Sequence, residues 1–235
     1  MKKLLMMLVV VWAVSPVFAQ DDEEDEVFEV QKNSVFYLGA KGGVTMTSMT
    51  QPKECDLYDG SGIGFSGGLA MKARFSRASE NANEATGMFG LGLELKYKQN
   101  NVKTIANEGD LKLGYFEVPV ALQFYPFAKS NAMNPFYIEV GGSFAGIMSK
   151  SPDALRVNNP NEEYQYVSYH TGDLKGFDIR PLAGIGYCLP ISDNKYGLDL
   201  NARYYLGTSE LAKNFPCKMS TIEVSLCFYF GLARF

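Results

Sequence analysis

From residue 34 onward apolar side chains recur at every second position, the repeat of a β-strand whose two faces meet different surroundings. The clearest run places Ile63, Phe65, Gly67, Leu69, Met71, Ala73 and Phe75 on one face, against Gly64, Ser66, Gly68, Ala70, Lys72 and Arg74 on the other. A second sets Phe89, Leu91, Leu93, Leu95 and Tyr97 against Gly90, Gly92, Glu94, Lys96 and Lys98. Comparable segments at 34–45, 111–125, 135–148, 177–189, 196–207 and 221–235 bring the number to eight. Each is long enough for a tilted strand to cross a bilayer, which takes about 9–11 residues.

The connections sort into two sets. With the chain start on the periplasmic side, linkers 76–88, 126–134 and 190–195 lie near, and linkers 46–62, 99–110, 149–176 and 208–220 lie far. The far set is mostly longer, as in barrels with short periplasmic turns and long outside loops. Strands exposed to lipid must close on themselves, because an open edge leaves backbone groups with no water to satisfy them. The predicted fold is therefore all-β, an eight-stranded antiparallel transmembrane β-barrel over 34–235. Its lumen holds packed side chains in place of a solute channel.

With the apolar face toward lipid, the opposite face carries Lys41, Lys72, Arg74, Lys96, Lys98, Arg180 and Arg203 together with Glu94, Glu117, Glu139, Asp178, Asp199 and Glu223. Seven bases against six acids can pair across a narrow barrel, which isolated buried charges could not. A structural network is expected, with Glu94, Glu117, Glu139, Arg180 and Arg203 as its members. Inward glycines such as Gly64, Gly68, Gly90, Gly92, Gly184 and Gly186 leave room for these long neighbours. Lys41-Gly42-Gly43 lacks the spacing of a nucleotide loop. Aromatics at strand ends, including Tyr37, Tyr97, Tyr125, Tyr137, Tyr187, Tyr204 and Tyr205, read as interfacial girdles.

The chain start has the parts of an export signal: Lys2 and Lys3, an apolar run over 4–14, then Ser15-Pro16-Val17-Phe18-Ala19. Cleavage is expected after Ala19. The run of eleven apolar residues is too short to span as a helix. Residues 20–33 form an acidic tail, with Asp21-Asp22-Glu23-Glu24-Asp25-Glu26 repelling one another. Loss of two lysines takes the net charge from -4 to -6, which argues against nucleic acid as a partner.

Cys55 and Cys217 fall in the first and last far loops, which closure makes neighbours, so a disulfide between them is a candidate. Cys188 and Cys227, on nonadjacent strands, could meet only across the lumen. No cysteine spacing suits zinc or iron–sulfur binding, and no cofactor is expected. His170 is the single histidine, so no standard catalytic set is present and no enzyme is predicted. Around it, Tyr164, Tyr166 and Tyr169 give the third far loop amphipathic groups suited to recognising a protein or a glycan.

Phe36-Tyr37-Leu38-Gly39-Ala40-Lys41-Gly42-Gly43, Phe116-Glu117-Val118-Pro119-Val120, Pro135-Phe136-Tyr137-Ile138-Glu139-Val140-Gly141-Gly142 and the ending Gly231-Leu232-Ala233-Arg234-Phe235 resemble the PorT-like outer-membrane β-barrel family of Bacteroidota. The resemblance implies an eight-stranded barrel, and Phe235 looks like the terminal aromatic read by the barrel assembly machinery. Counting back from Phe235 by twos reaches Ala233, Gly231, Tyr229 and Cys227, whereas the stronger apolar set is Leu232, Phe230, Phe228, Leu226, Val224 and Ile222. Either a bulge shifts the phase or Phe235 lies outside the regular strand.

The expected function is a structural or surface-interaction barrel in the cell outer membrane, with no transport pore. Its expected partners are outer-membrane lipid, the barrel assembly machinery and an envelope or extracellular protein or glycan. One alternative is an accessory of protein secretion or envelope assembly. Another is a soluble periplasmic lipocalin-like carrier, which would need a polar exterior and an apolar interior.

Overall fold

The structure, a computed structural model, describes residues 34–50, 58–75, 87–106, 109–128, 133–158, 166–192, 195–208, 210–211 and 217–234. The signal segment, the acidic tail, Cys55, Tyr164 and Phe235 lie outside the described residues, as do the side chains of Tyr166 and Tyr169.

In chain order the strands are β1 (Val35–Thr50), β2 (Tyr58–Phe75), β3 (Phe89–Thr104), β4 (Leu111–Phe124), β5 (Phe136–Ser151), β6 (Ala154–Asn158), β7 (Tyr166–His170), β8 (Phe177–Ile191), β9 (Tyr196–Tyr205) and β10 (Lys218–Arg234). All but β6 and β7 close into one barrel, in the order β1-β10-β9-β8-β5-β4-β3-β2. Every neighbouring pair is antiparallel, and the seam joins β1 to β10, with Val44 opposite Val224. β6 and β7 form a separate hairpin within the third far connection, where the alternation predicted only loop. At five residues each they are too short to register as a periodic segment.

The strands reach further than the alternation predicted. β1, β3 and β5 are 16 residues long and β2 is 18. At about 3.3 Å per residue and about 40° of tilt, sixteen residues rise about 40 Å, against an apolar band about 25 Å tall. The excess stands at the far end, so much of the predicted loops 46–62 and 99–110 is barrel wall.

Along the membrane-crossing part the outward face is apolar and exposed, with Val44, Phe65, Leu69, Leu95, Leu122, Val140, Ile185, Leu200 and Leu226 among its members. None of the described helices is long and apolar enough to span a bilayer; this chain crosses with strands. Above the band the pattern inverts. On β1, outward Val44 and Met46 give way to outward Ser48 and Thr50 while Met49 turns in. On β3 the outward side becomes Gln99, Asn101 and Lys103, and Val102 is buried within. On β4, Leu111, Leu113 and Tyr115 point inward at positions where the lower strand holds Glu117 and Gln123. The projecting wall thus follows the rule of a water-exposed barrel, polar outside and apolar inside, and the lower wall follows the opposite rule.

At the end of β10 the pairing runs Phe36 with Ala233 and then Tyr37 with Gly231, leaving Leu232 bulged out. A bulge therefore accounts for the phase shift near the terminus. The girdle reading holds for only some of the aromatics. Tyr97, Tyr187, Tyr196 and Tyr204 lie on outward positions, but Tyr37, Tyr125, Tyr137 and Tyr205 are buried inside.

Candidate functional site: the ion-paired lumen and its apolar plug

The inward positions of the lower wall converge on one another because an eight-stranded cylinder is barely wider than two side chains. Its middle is a chain of charges. Arg203 on β9 holds Glu139 on β5 through Nε, and through Nη2 at 3.0 Å, while its Nη1 lies 2.7 Å from Glu94 on β3. Glu94 also pairs with Lys41 at 2.7 Å and sits 3.5 Å from Lys96. Lys96 donates to both oxygens of Glu223 and to the Tyr205 hydroxyl at 2.8 Å. Asn201 and Gln123 complete the shell of Glu139 at 2.7 and 3.2 Å.

Toward the far end Glu117 joins two cations. Lys98 lies 2.9 Å away as an ion pair with its ammonium 3.5 Å over the Tyr205 ring, and Arg180 lies 3.3 Å away. Arg180 also donates to Asp178 at 2.8 Å and stacks 4.2 Å from the Tyr115 ring centre. Toward the near mouth Lys72 pairs with Asp199 and lies 4.0 Å over the Tyr137 ring, whose hydroxyl donates to Asp199 at 2.9 Å. Arg74, the seventh cation, has no carboxylate partner among the described residues. Its guanidinium meets the Gly87 carbonyl, Asn134 and, at 3.9 Å, the Tyr125 ring.

Glu94, Glu117, Glu139, Arg180 and Arg203 are thus brought together in the lumen, all nearly fully buried. The sequence reading missed the tyrosines. Tyr115, Tyr125, Tyr137 and Tyr205 supply rings for cations, the Tyr137 hydroxyl donates to Asp199 and the Tyr205 hydroxyl accepts from Lys96, which lets the buried ammonium groups keep more than one partner. Gly186 makes room for one of them: a Cβ there would come 2.2 Å from the Tyr137 ring, so the glycine is a socket for that aromatic.

Above the charges lies an apolar plug. Met49, Val102, Leu111, Leu113, Tyr115 and Met219 from the wall pack with Leu155 of β6 and with Leu174, Leu211 and Cys217 of the far connections. Backbone bonds tie these connections together: Lys175 N–H donates to the Leu211 carbonyl at 2.8 Å, and Leu211 N–H to the Cys217 carbonyl at 2.9 Å.

Cys217 is buried in the plug, and its proposed partner Cys55 falls outside the described residues. Cys188 and Cys227 are free thiols. The expectation that they could meet only across the lumen is corrected by the register: each pairs with Asp199, from β8 and β10 respectively, so they flank β9 on one side of the barrel. His170 is exposed at the end of β7, and the described residues contain no group of His, Cys, Asp and Glu able to hold a metal ion.

Several solved structures of outer-membrane proteins resemble this chain. Neisserial surface protein A is 15% identical over 84% of this chain and 97% of its own, with a TM-score of 0.43. OprG from Pseudomonas aeruginosa is 12% identical over 87% and 99%, at 0.44. Ail, the attachment invasion locus protein of Yersinia pestis, is 14% identical over 83% and 99%, at 0.39. None of the three is close enough to lend this chain a function. No curated relative matches the sequence. The outer membrane protein beta-barrel domain family matches residues 18–212, most of the chain and seven of its eight barrel strands wholly or in large part. With the closed ring and the exposed apolar band, that match makes this protein a member of the outer membrane protein beta-barrel domain family, located in the outer membrane.

Proposed function

We propose that this barrel is a structural and surface-interaction protein of the outer membrane, with no transport path through it and no catalysis. The observation that carries this reading is a lumen filled along its length, by paired charges below and by the apolar plug above. The plug is built partly from the far connections, so their described parts are packed onto the wall. The far end presents the β6–β7 hairpin beyond the membrane, and Tyr164, Tyr166 and Tyr169 belong to that segment. Its partners would be an envelope or extracellular protein or a glycan, alongside lipid and the assembly machinery. An exterior belt of exposed apolar side chains is the reverse of what a soluble carrier needs.

Three finer points belong to the same proposal: export with cleavage after Ala19, a solvated acidic tail over 20–33, and membership of the PorT-like branch in Bacteroidota. Its quoted segments fall on β1, β4, β5 and β10, with Glu117 and Glu139 inward, so they coincide with the network-bearing strands. Two measurements test the proposal. The purified protein should add no stepwise conductance to a planar bilayer, and replacing 154–170 by a Gly-Ser linker should abolish cell-surface adhesion while the barrel stays folded. Ohmic steps from the intact protein, or adhesion that survives the replacement, would refute it.

A further inference from the structure

Where β3, β4 and β5 rise out of the apolar belt, their outward positions form a polar patch. The register sets Gln99 of β3 and Ser149 of β5 on either side of Gly114 of β4, and one row farther out it sets Asn101 and Ser151 on either side of Lys112. Gly114 is a gap kept open between two hydroxyls. A Cβ there would come 2.2 Å from Ser149 Oγ and 2.4 Å from the Tyr97 hydroxyl oxygen, so these groups converge over the glycine from the strands on both sides. Neither hydroxyl has a hydrogen-bond partner among the described residues. Lys112 is exposed on the same face two residues along, and no carboxylate among the described residues engages it, Asp110 beyond the end of β4 included. Gln99 donates to Asn101 at 3.0 Å and Asn101 to the Ile63 carbonyl at 2.6 Å, which ties the amides to the wall and leaves one cation and two hydroxyls as free donors.

The patch also sits at a particular height. Phe116, paired with Tyr97 in the row just below the gap, is exposed and outward, and Phe65 stacks on the Tyr97 ring at 5.9 Å. Met148, which the register shift leaves bulged out of β5, is 70% exposed beside Ser149. The apolar belt therefore runs up to the gap and the polar wall begins at it, the level at which a headgroup meets its acyl chains. An ammonium and two hydroxyls facing that layer suit an anion with several acceptor oxygens.

We propose that this patch on the outer face of β3, β4 and β5 binds the phosphate of a lipid headgroup in the far leaflet. Lys112 supplies the charge, the Tyr97 and Ser149 hydroxyls donate to the phosphate oxygens, and the acyl chains lie along Phe116 and Met148. The site requires only that the barrel sits in a bilayer, and it is independent of the surface-interaction role.

The test uses native mass spectrometry of the full protein purified from the membrane, with dilauroyl phosphatidic acid and dilauroylglycerol as probes. These differ in the phosphate and not in the chains. Phosphatidic acid should be retained at least about tenfold more strongly, the scale of one charge-assisted hydrogen bond. Lys112→Gln should erase that preference, and Tyr97→Phe with Ser149→Ala should weaken it while Lys112 stays in place. Lys218→Gln removes another exposed lysine, on β10, the strand opposite β4 in the ring, and should leave retention within about twofold. Heat-modifiable gel mobility of each variant shows that the barrel is folded. Equal retention of the two probes, a preference that survives Lys112→Gln or is untouched by loss of the hydroxyls, or equal losses from Lys112→Gln and Lys218→Gln would overturn the proposal. Displacement by an equal concentration of inorganic phosphate would assign the patch to a soluble anion and overturn the lipid assignment.

Discussion

Glu139 is the acceptor on which three strands meet. It stands on β5, takes Arg203 and Asn201 from β9, and takes Gln123 from β4. Truncating it leaves the Arg203 guanidinium with Glu94 alone in a space that water cannot enter freely. Glu139→Ala should therefore cost about 3–5 kcal/mol in urea unfolding from lipid vesicles. The double variant Glu139→Leu with Arg203→Met removes both charges, and Glu94 keeps Lys41 and Lys96, so it should cost much less. Equal losses for the single and double variants would mean the pair is not coupled. These carboxylates were legible because parity along a strand assigns a face and charge assigns that face to the lumen. The lumen tyrosines carried the same information. Tyr137 shares the parity of Glu139, and Tyr205 that of Arg203. Reading them as a girdle put residue type ahead of position, and both rings turn inward because their hydroxyls or faces meet buried charges there.

At the level of the element, the inversion above the membrane is what the eight-segment reading passed over. In β4 the apolar positions change parity between Tyr115 and Phe116, from Leu111, Leu113 and Tyr115 inward to Phe116, Val118, Val120, Leu122 and Phe124 outward. Read as one segment, that run looks like a strand apolar on both faces. Read as two, it marks the height at which the strand leaves the lipid. The β6–β7 hairpin remained hidden because its burial depends on Leu155 reaching a plug assembled from distant wall strands. Leu155 is fully buried, and Leu155→Ala should cost about 2–5 kcal/mol locally. The barrel below does not depend on that contact. Limited proteolysis should then cut the third far connection of the variant while the protease-resistant core and its heat-modifiable mobility stay those of the wild type. Collapse of the whole barrel would instead show that plug and wall unfold as one unit.

For the whole molecule, closure of the lumen rests on two seals of opposite chemistry placed in series. The upper seal is apolar and partly borne by connections, through Leu155, Leu174 and Leu211. The lower is ionic and borne entirely by wall strands. An ion entering from outside would first have to shed its water among leucines, and then displace a side chain already paired with a neighbour. Opening either seal alone should leave the other intact. In planar bilayers, the triple variant Leu155→Ser, Leu174→Ser, Leu211→Ser should stay silent, and so should Glu139→Ala with Arg203→Ala. The combined five-site variant should show stepwise conductance, since it joins the near mouth to a hydrated far end through space vacated around Gly184, where Arg203 and Glu139 each lie 2.9 Å from the position a Cβ would take. Conductance from the serine variant alone would show that the charged lumen already passes ions and that the plug is the only barrier. Silence from the five-site variant would show that the tyrosines and the remaining pairs, Lys72 with Asp199 and Lys96 with Glu223, suffice to fill so narrow a barrel.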